Sequence, residues 1–83
     1  MRVLYFAWLR ERLGLTSEEL TLPTTIQTPR EMITWLRQRS PRHASALADE
    51  TLLRCAVNQS FCGLDERFDN ATEIAFFPPV TGG

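Results

Sequence analysis

The chain predicts an α+β fold, a roll in which one main helix packs across a mixed sheet. Three observations carry it. Apolar, β-branched and aromatic runs stand near both ends, Val3-Leu4-Tyr5-Phe6 and Ile74-Ala75-Phe76-Phe77. A single strongly signalled helix opens at Thr28-Pro29-Arg30-Glu31. Short segments between them alternate apolar and polar residues with the period of two that belongs to strands.

The first run is apolar at both parities, which suits a strand covered on both faces and so placed inside the sheet. Over residues 7–13 the spacing turns helical, Leu9 and Leu13 standing four apart before Gly14 as a C-terminal stop. Residues 18–22 alternate Glu18, Leu20 and Leu22 against Glu19 and Thr21, a second strand ended by Pro23. Thr28 with Glu31 then forms a capping box: the Thr hydroxyl accepts the Glu31 amide, the Glu carboxylate reaches back, and Pro29 occupies the first helical position. Met32, Trp35, Leu36 and Ile33 supply the apolar stripe of a helix running to about Arg39. Ser40-Pro41 breaks it and caps a shorter helical piece through Leu47, and Asp49-Glu50 marks a turn.

Residues 52–58 read as a strand with Leu53, Cys55 and Val57 on one face and Arg54, Ala56 and Asn58 on the other. With Gln59-Ser60 as a hairpin loop, Phe61 lies opposite Asn58 and Cys62 opposite Val57. A polar connection leads to the closing strand, residues 73–77. Pro78-Pro79 ends it, because neither proline can donate to a ladder. The first and last strands are both apolar enough to be neighbours in the sheet. The expected organisation is one folded domain over residues 1–77 and a flexible tail over residues 78–83.

Composition narrows the function. Eighty-three residues, 43% hydrophobic, with nine basic against ten acidic side chains, make one small domain of net charge −1. Such a chain buries only roughly 60–65% of its unfolded surface, so each large apolar residue matters. The near-neutral balance offers no general attraction for nucleic acid or anionic lipid, and all nine basic residues are Arg. No run approaches the roughly 20 apolar residues that cross a bilayer. Two cysteines are too few for a disulfide scaffold, and a cytoplasmic location is expected.

Catalytic inventory is short. His43, the single imidazole, reads as a solvated surface residue. Cys55 and Cys62 lack the close spacing and companion histidines of a zinc site, so no metal is expected. Glu18-Glu19, Asp65-Glu66 and Asp69 read as solubilising surface charges, since adjacent strand residues point to opposite faces. Parity puts Leu4 and Phe6 on the Arg2 face, and Ala75 and Phe77 on the Glu73 face. Phe6, Phe61 and Phe77 then share the sheet face away from the helix. An uncovered aromatic patch of that kind marks a partner interface.

The sharpest signal is Thr81-Gly82-Gly83, which places half of the four glycines in the last two positions. A backbone without Cβ atoms threads a narrow channel, and Pro78-Pro79 stiffens its base ahead of Val80. The α-carboxylate of Gly83 is ionised at neutral pH and a poor electrophile. It reacts only once another enzyme activates it, and the chain carries no phosphate-binding loop to do so itself.

Residues 74–83, Ile-Ala-Phe-Phe-Pro-Pro-Val-Thr-Gly-Gly, closely resemble the end of the small subunits of molybdopterin synthase, the MoaD-type sulfur carriers. Val3-Leu4-Tyr5-Phe6-Ala7 with Leu9-Arg10-Glu11, and Leu53 through Ala56-Val57-Asn58-Gln59, look like that family's opening and middle segments. The resemblance spans the chain in order and length. It implies a ubiquitin-like β-grasp fold, with Gly83 adenylated by an activating enzyme of the MoeB type that uses ATP, converted to a thiocarboxylate, and inserted into a large synthase subunit of the MoaE type. Sulfur would there pass to a cyclic pyranopterin precursor, forming the molybdopterin dithiolene. Val80, Thr81 and Gly82 would thread the partner with Pro78 and Pro79 behind them, and Phe6, Phe61 and Phe77 would match the family's partner contacts. No bound cofactor and no catalytic side chain of its own are implied. The family's usual Asp-Gly-Asp turn is replaced here by Asp69-Asn70-Ala71-Thr72-Glu73. A related carrier for thiamine or another sulfur pathway, and a ubiquitin-like protein modifier, remain open alternatives.

Overall fold

The apolar runs from the two ends of the chain lie side by side. In the computed structural model, which describes residues 1–79, strand β1 (Arg2–Tyr5) runs parallel to β5 (Glu73–Phe77), with Val3 opposite Ile74 and Tyr5 opposite Phe76. Around this pair are β2 (Ser17–Glu19), β3 (Arg54–Val57) and β4 (Ser60–Cys62), in the order β2-β1-β5-β3-β4. Apart from the central parallel pair, every pairing is antiparallel. Three helices, α1 (Trp8–Leu13), α2 (Pro29–Arg37) and α3 (Pro41–Ala46), with a 3-10 turn at Glu50–Leu52, complete the α+β roll.

Strand alternation sorts the side chains. Val3, Tyr5, Cys55, Ile74 and Phe76 face the helices and are buried, where they meet Met32, Ile33 and Leu36 of α2 and Leu9 and Leu13 of α1. The capping box forms as the residues predict: Thr28 Oγ1 accepts the Glu31 N–H at 3.2 Å and Glu31 Oε1 accepts the Thr28 N–H at 3.1 Å. Ile33 rather than Trp35 completes the buried stripe. Trp35 lies at its edge, with the Arg39 guanidinium 5.2 Å from its ring. Gly14 ends α1 in a left-handed conformation at φ 71°, and its N–H reaches the Arg10 carbonyl. That backbone is one glycine adopts without strain.

Three expectations need correction. Strand β2 stops at Glu19 rather than running to residue 22, because at the sheet edge it pairs with β1 alone and Leu20 turns inward. The hairpin loop is Asn58-Gln59, at φ 47° and 70°, not Gln59-Ser60. Left-handed torsions at both loop residues match the strand twist, and Asn tolerates them. Ser60 therefore pairs with Val57, Phe61 with Ala56, and Cys62 with Cys55. The register moves by two residues, so Phe61 keeps its predicted face.

The third correction concerns His43 and Glu18, read as surface groups. His43 is buried, and its Nε2 lies 2.8 Å from Glu18 Oε2. Tyr5 donates its hydroxyl to the same oxygen at 2.7 Å. A carboxylate only accepts, so His43 Nε2 carries a proton, and in the neutral ring Nδ1 accepts the Ser40 hydroxyl at 2.7 Å. Ser40 Oγ also accepts the His43 N–H at 3.1 Å, capping α3. The four residues tie β1, β2 and α3 together. Burial would raise the Glu18 carboxyl, yet the hydrogen bonds from His43 and Tyr5 hold it below the ordinary carboxylate value.

Candidate functional site

The sheet face away from the helices is left open, and its side chains follow from the pairing. Leu4 opposes Ala75, Ala75 opposes Ala56, and Ala56 opposes Phe61, a row that crosses four strands. The next row holds Phe77 with Arg54 opposite it. Phe6 follows β1 at the parity of Leu4 and is held to the end of β5 by its N–H to the Phe76 carbonyl at 3.1 Å. Phe6 is 46% exposed and Phe61 86%. Two alanines on adjacent central strands leave a shallow floor between Leu4 and Phe61.

Two of the three predicted aromatics touch. Phe61 and Phe77 meet edge-to-face, ring centroids 5.8 Å apart at 61°, a geometry in which a positive ring edge meets a negative face. Phe6 stands toward the β1 end of the same face. The short helix α1 does not cover them, for its Leu9 and Leu13 are buried in the core on the other side. Pro78 and Pro79 continue from Phe77 and are half-buried. Val80, Thr81, Gly82 and Gly83, named above for tail threading and loading, lie outside the described residues.

A groove of about 450 Å³ opens at one end of this face, lined by Arg54, Cys55, Phe61, Cys62, Glu66 and Phe77. Its cysteines are free. Burial pushes the Cys55 thiol up to about 12, and it donates to the Cys62 carbonyl at 3.0 Å. Burial, with Glu66 nearby, also raises the Cys62 thiol. Neither supplies a thiolate at neutral pH. Sequence reasoning put Arg54 on the outward face but gave it no role; only the β3–β5 register sets it beside Phe77.

The loop before β5 shows how the Asp69-Asn70 replacement works. Asn70 takes a left-handed turn at φ 56°, a conformation Asn tolerates nearly as Gly does. Asn58 Oδ1 then accepts the N–H groups of Thr72 and Glu73 at 3.0 and 3.1 Å, anchoring the hairpin to the start of β5.

Ser40, His43 and Glu18 have the residue types of a hydrolytic triad without its function. The Ser40 hydroxyl is occupied as a helix cap, and both His43 nitrogens are bound inside the fold. Among the described residues no group of three His, Cys, Asp or Glu side chains is placed to hold a metal ion. No helix there is long and apolar enough to cross a membrane. What the surface offers is an uncovered aromatic face adjoining Pro78 and Pro79.

Comparison with known proteins agrees with this geometry. The ThiS family matches residues 3–83. The molybdopterin synthase sulfur carrier subunit of Escherichia coli is 39% identical over 84 residues, covering 100% of this chain and 99% of that protein. The subunit of the same name from Haemophilus influenzae is also 39% identical, over 83 residues with 100% and 99% coverage. A solved Pyrococcus furiosus structure, described as molybdopterin converting factor, subunit 1, superposes with a TM-score of 0.73 at 29% identity, covering 95% of each chain. SAMP1 from Haloferax volcanii shares the fold at a TM-score of 0.71 and 24% identity, over 100% of this chain and 98% of that one. The open aromatic face, the β-grasp sheet and these matches agree: the chain belongs to the ThiS family and is a relative of its molybdopterin synthase sulfur carrier subunits.

Proposed function

We propose that this chain is the sulfur-carrying small subunit of a molybdopterin synthase, working in the cytoplasm. The observation that carries the reading is the aromatic face of Phe6, Phe61 and Phe77, left uncovered by the chain's own helices and adjoining the start of the tail. The relatives that match over their whole length bear that name. In this reading the Gly83 carboxylate attacks the α-phosphorus of ATP inside a MoeB-type activating enzyme. Pyrophosphate leaves and an acyl-adenylate remains. A sulfur nucleophile then displaces AMP to give the thiocarboxylate.

The loaded carrier docks through its aromatic face on a MoaE-type large subunit while Pro78, Pro79, Val80, Thr81 and Gly82 lead the sulfur into the partner's site. Docking turns delivery into an effectively unimolecular step. Thiocarboxylate sulfur is a softer and better nucleophile than carboxylate oxygen, which suits transfer to a cyclic pyranopterin precursor. Hydrolysis returns the carboxylate for reloading. The chain itself holds no cofactor in this scheme, ATP being consumed by the activating partner.

The test is intact-mass spectrometry of the chain after incubation with the activating enzyme, ATP and a sulfur donor. The expected product carries one oxygen replaced by sulfur in its C-terminal peptide. An unchanged mass with an enzyme proven active on another carrier would overturn the proposal.

A further inference from the structure

Beside Phe77 the open face carries an arginine, Arg2 lying at the other end of the face opposite Glu73. Arg54 is exposed and lies opposite Phe77 in the β3–β5 register. It also lines the groove beside Phe61. Its guanidinium is fixed at one corner, where Nη1 donates to the carbonyls of Leu53 at 2.8 Å and Thr51 at 3.3 Å. Its Nε and Nη2 have no acceptor among the described residues, and no carboxylate there lies within ion-pair distance of Arg54. Glu66, the acid on the opposite wall, has its Oε1 turned to the Gly63 N–H at 3.1 Å.

In isolation this costs nothing, because water solvates the guanidinium. Docking changes that. Any surface that covers Phe61 and Phe77 also strips water from the residue in register with Phe77. A guanidinium desolvated without a counter-charge is penalised by several kcal/mol, enough to cancel much of the gain from burying the two rings. The fixed Nη1 also orients the remaining edge of the fork, the geometry that receives a carboxylate through two parallel hydrogen bonds.

We infer that the large-subunit surface covering the aromatic face carries a carboxylate, next to the apolar group that packs on Phe77, placed to pair with the open edge of Arg54. This rests on the proposed carrier function and adds to it a residue that sets partner specificity. Arg54 is a docking residue and carries no chemistry of its own.

The experiment measures affinity of the full chain for the large subunit by calorimetry at low and high salt, using Arg54→Gln, Arg54→Glu, Arg54→Lys and Phe61→Ala beside the parent. Loss of one partner of a hydrogen-bonded interface pair predicts roughly a 30-fold weaker complex for Arg54→Gln. A larger loss is expected for Arg54→Glu, and Arg54→Lys recovers part of the binding at low salt. The affinity of Arg54→Gln should also fall less steeply with salt than that of the parent. Thermal unfolding should shift by only a few degrees in the three Arg54 variants, the effect of the exposed Nη1 hydrogen bonds. Parent-like binding by Arg54→Gln and Arg54→Glu, alongside weakened Phe61→Ala, would overturn the inference and leave the docking face standing. Absence of any complex with the parent chain would remove the carrier reading and the inference together.

Discussion

Tyr5→Phe removes a single hydroxyl from a side chain that is 1% exposed. The ring keeps its stack on Phe76, with centroids 6.5 Å apart, and its edge contact with His43 at 6.4 Å. What is lost is the 2.7 Å hydrogen bond to Glu18 Oε2. Hydrogen bonds to ionised groups contribute about 1.5–3 kcal/mol. Glu18 retains His43 at 2.8 Å, so the lower part of that range applies. A loss of about 1.5–2 kcal/mol in a chain of this size lowers Tm by roughly 10 °C.

The same bond gives the variant a pH signature. Burial alone would raise the Glu18 carboxyl, but hydrogen bonds from His43 and Tyr5 hold it below its ordinary value of 4.5. A depressed native pKa contributes stability that is complete above the unfolded value and lost as pH falls through the native one. Tyr5→Phe lets the Glu18 carboxyl rise. The stability gap between parent and variant should therefore be full near neutral pH and narrow in acid. Urea unfolding followed by circular dichroism at a series of pH values measures it. A gap below about 0.5 kcal/mol at neutral pH, or one that does not shrink in acid, would refute the placement of Glu18 between Tyr5 and His43.

Three other substitutions test separate parts of the argument. Thr28→Ala removes the cap of α2 and should destabilise the chain by about 1 kcal/mol in the same urea assay. Gln59→Gly relieves a side chain held at φ 70°; set against glycine's greater unfolded-state entropy, it should raise stability by about 0.5 kcal/mol. Phe61→Ala at an 86% exposed position should change stability by less than about 1 kcal/mol, while calorimetry with the large subunit shows at least about tenfold weaker binding.

Local chemistry was readable from the residues, and long-range pairing was not. Thr28-Pro29-Arg30-Glu31 and Ser40-Pro41 announce their helices because each cap is satisfied within a few residues. Apolar residues at both parities mark β1 and β5 as inner strands wherever their partners lie. His43 misled because the carboxylate that lets it be buried is 25 residues away in Glu18, beyond any motif spacing. The hairpin misled because Gln59 adopts torsions its residue type disfavours, and only the assembled strands hold it there. The face of Phe61 was legible even so, since parity depends on strand period and survives a two-residue slip. Arg54 shows the limit from the other side. Alternation gave its direction, but its neighbour Phe77 comes from a register that local pattern does not encode.

This division follows from where the chain spends its apolar residues. Among the described residues, fourteen hydrophobic side chains are buried in one core between the helices and the inner sheet face, whereas Phe61 is left in water at a position where a polar residue would fold as well. A domain this small has little stability to spare, and a ring as exposed as Phe61 contributes little to it. The hydrophobic gain stored in Phe61 and Phe77 is realised only when another surface covers them. Two alanines, Ala56 and Ala75, floor the same face between Leu4 and Phe61. In the proposed complex a side chain of the partner would press onto that alanine floor, and a recess would receive the projecting Phe61. Enlarging either alanine would block that approach while leaving the helix-side core untouched, so docking and folding are separable by mutation on this face.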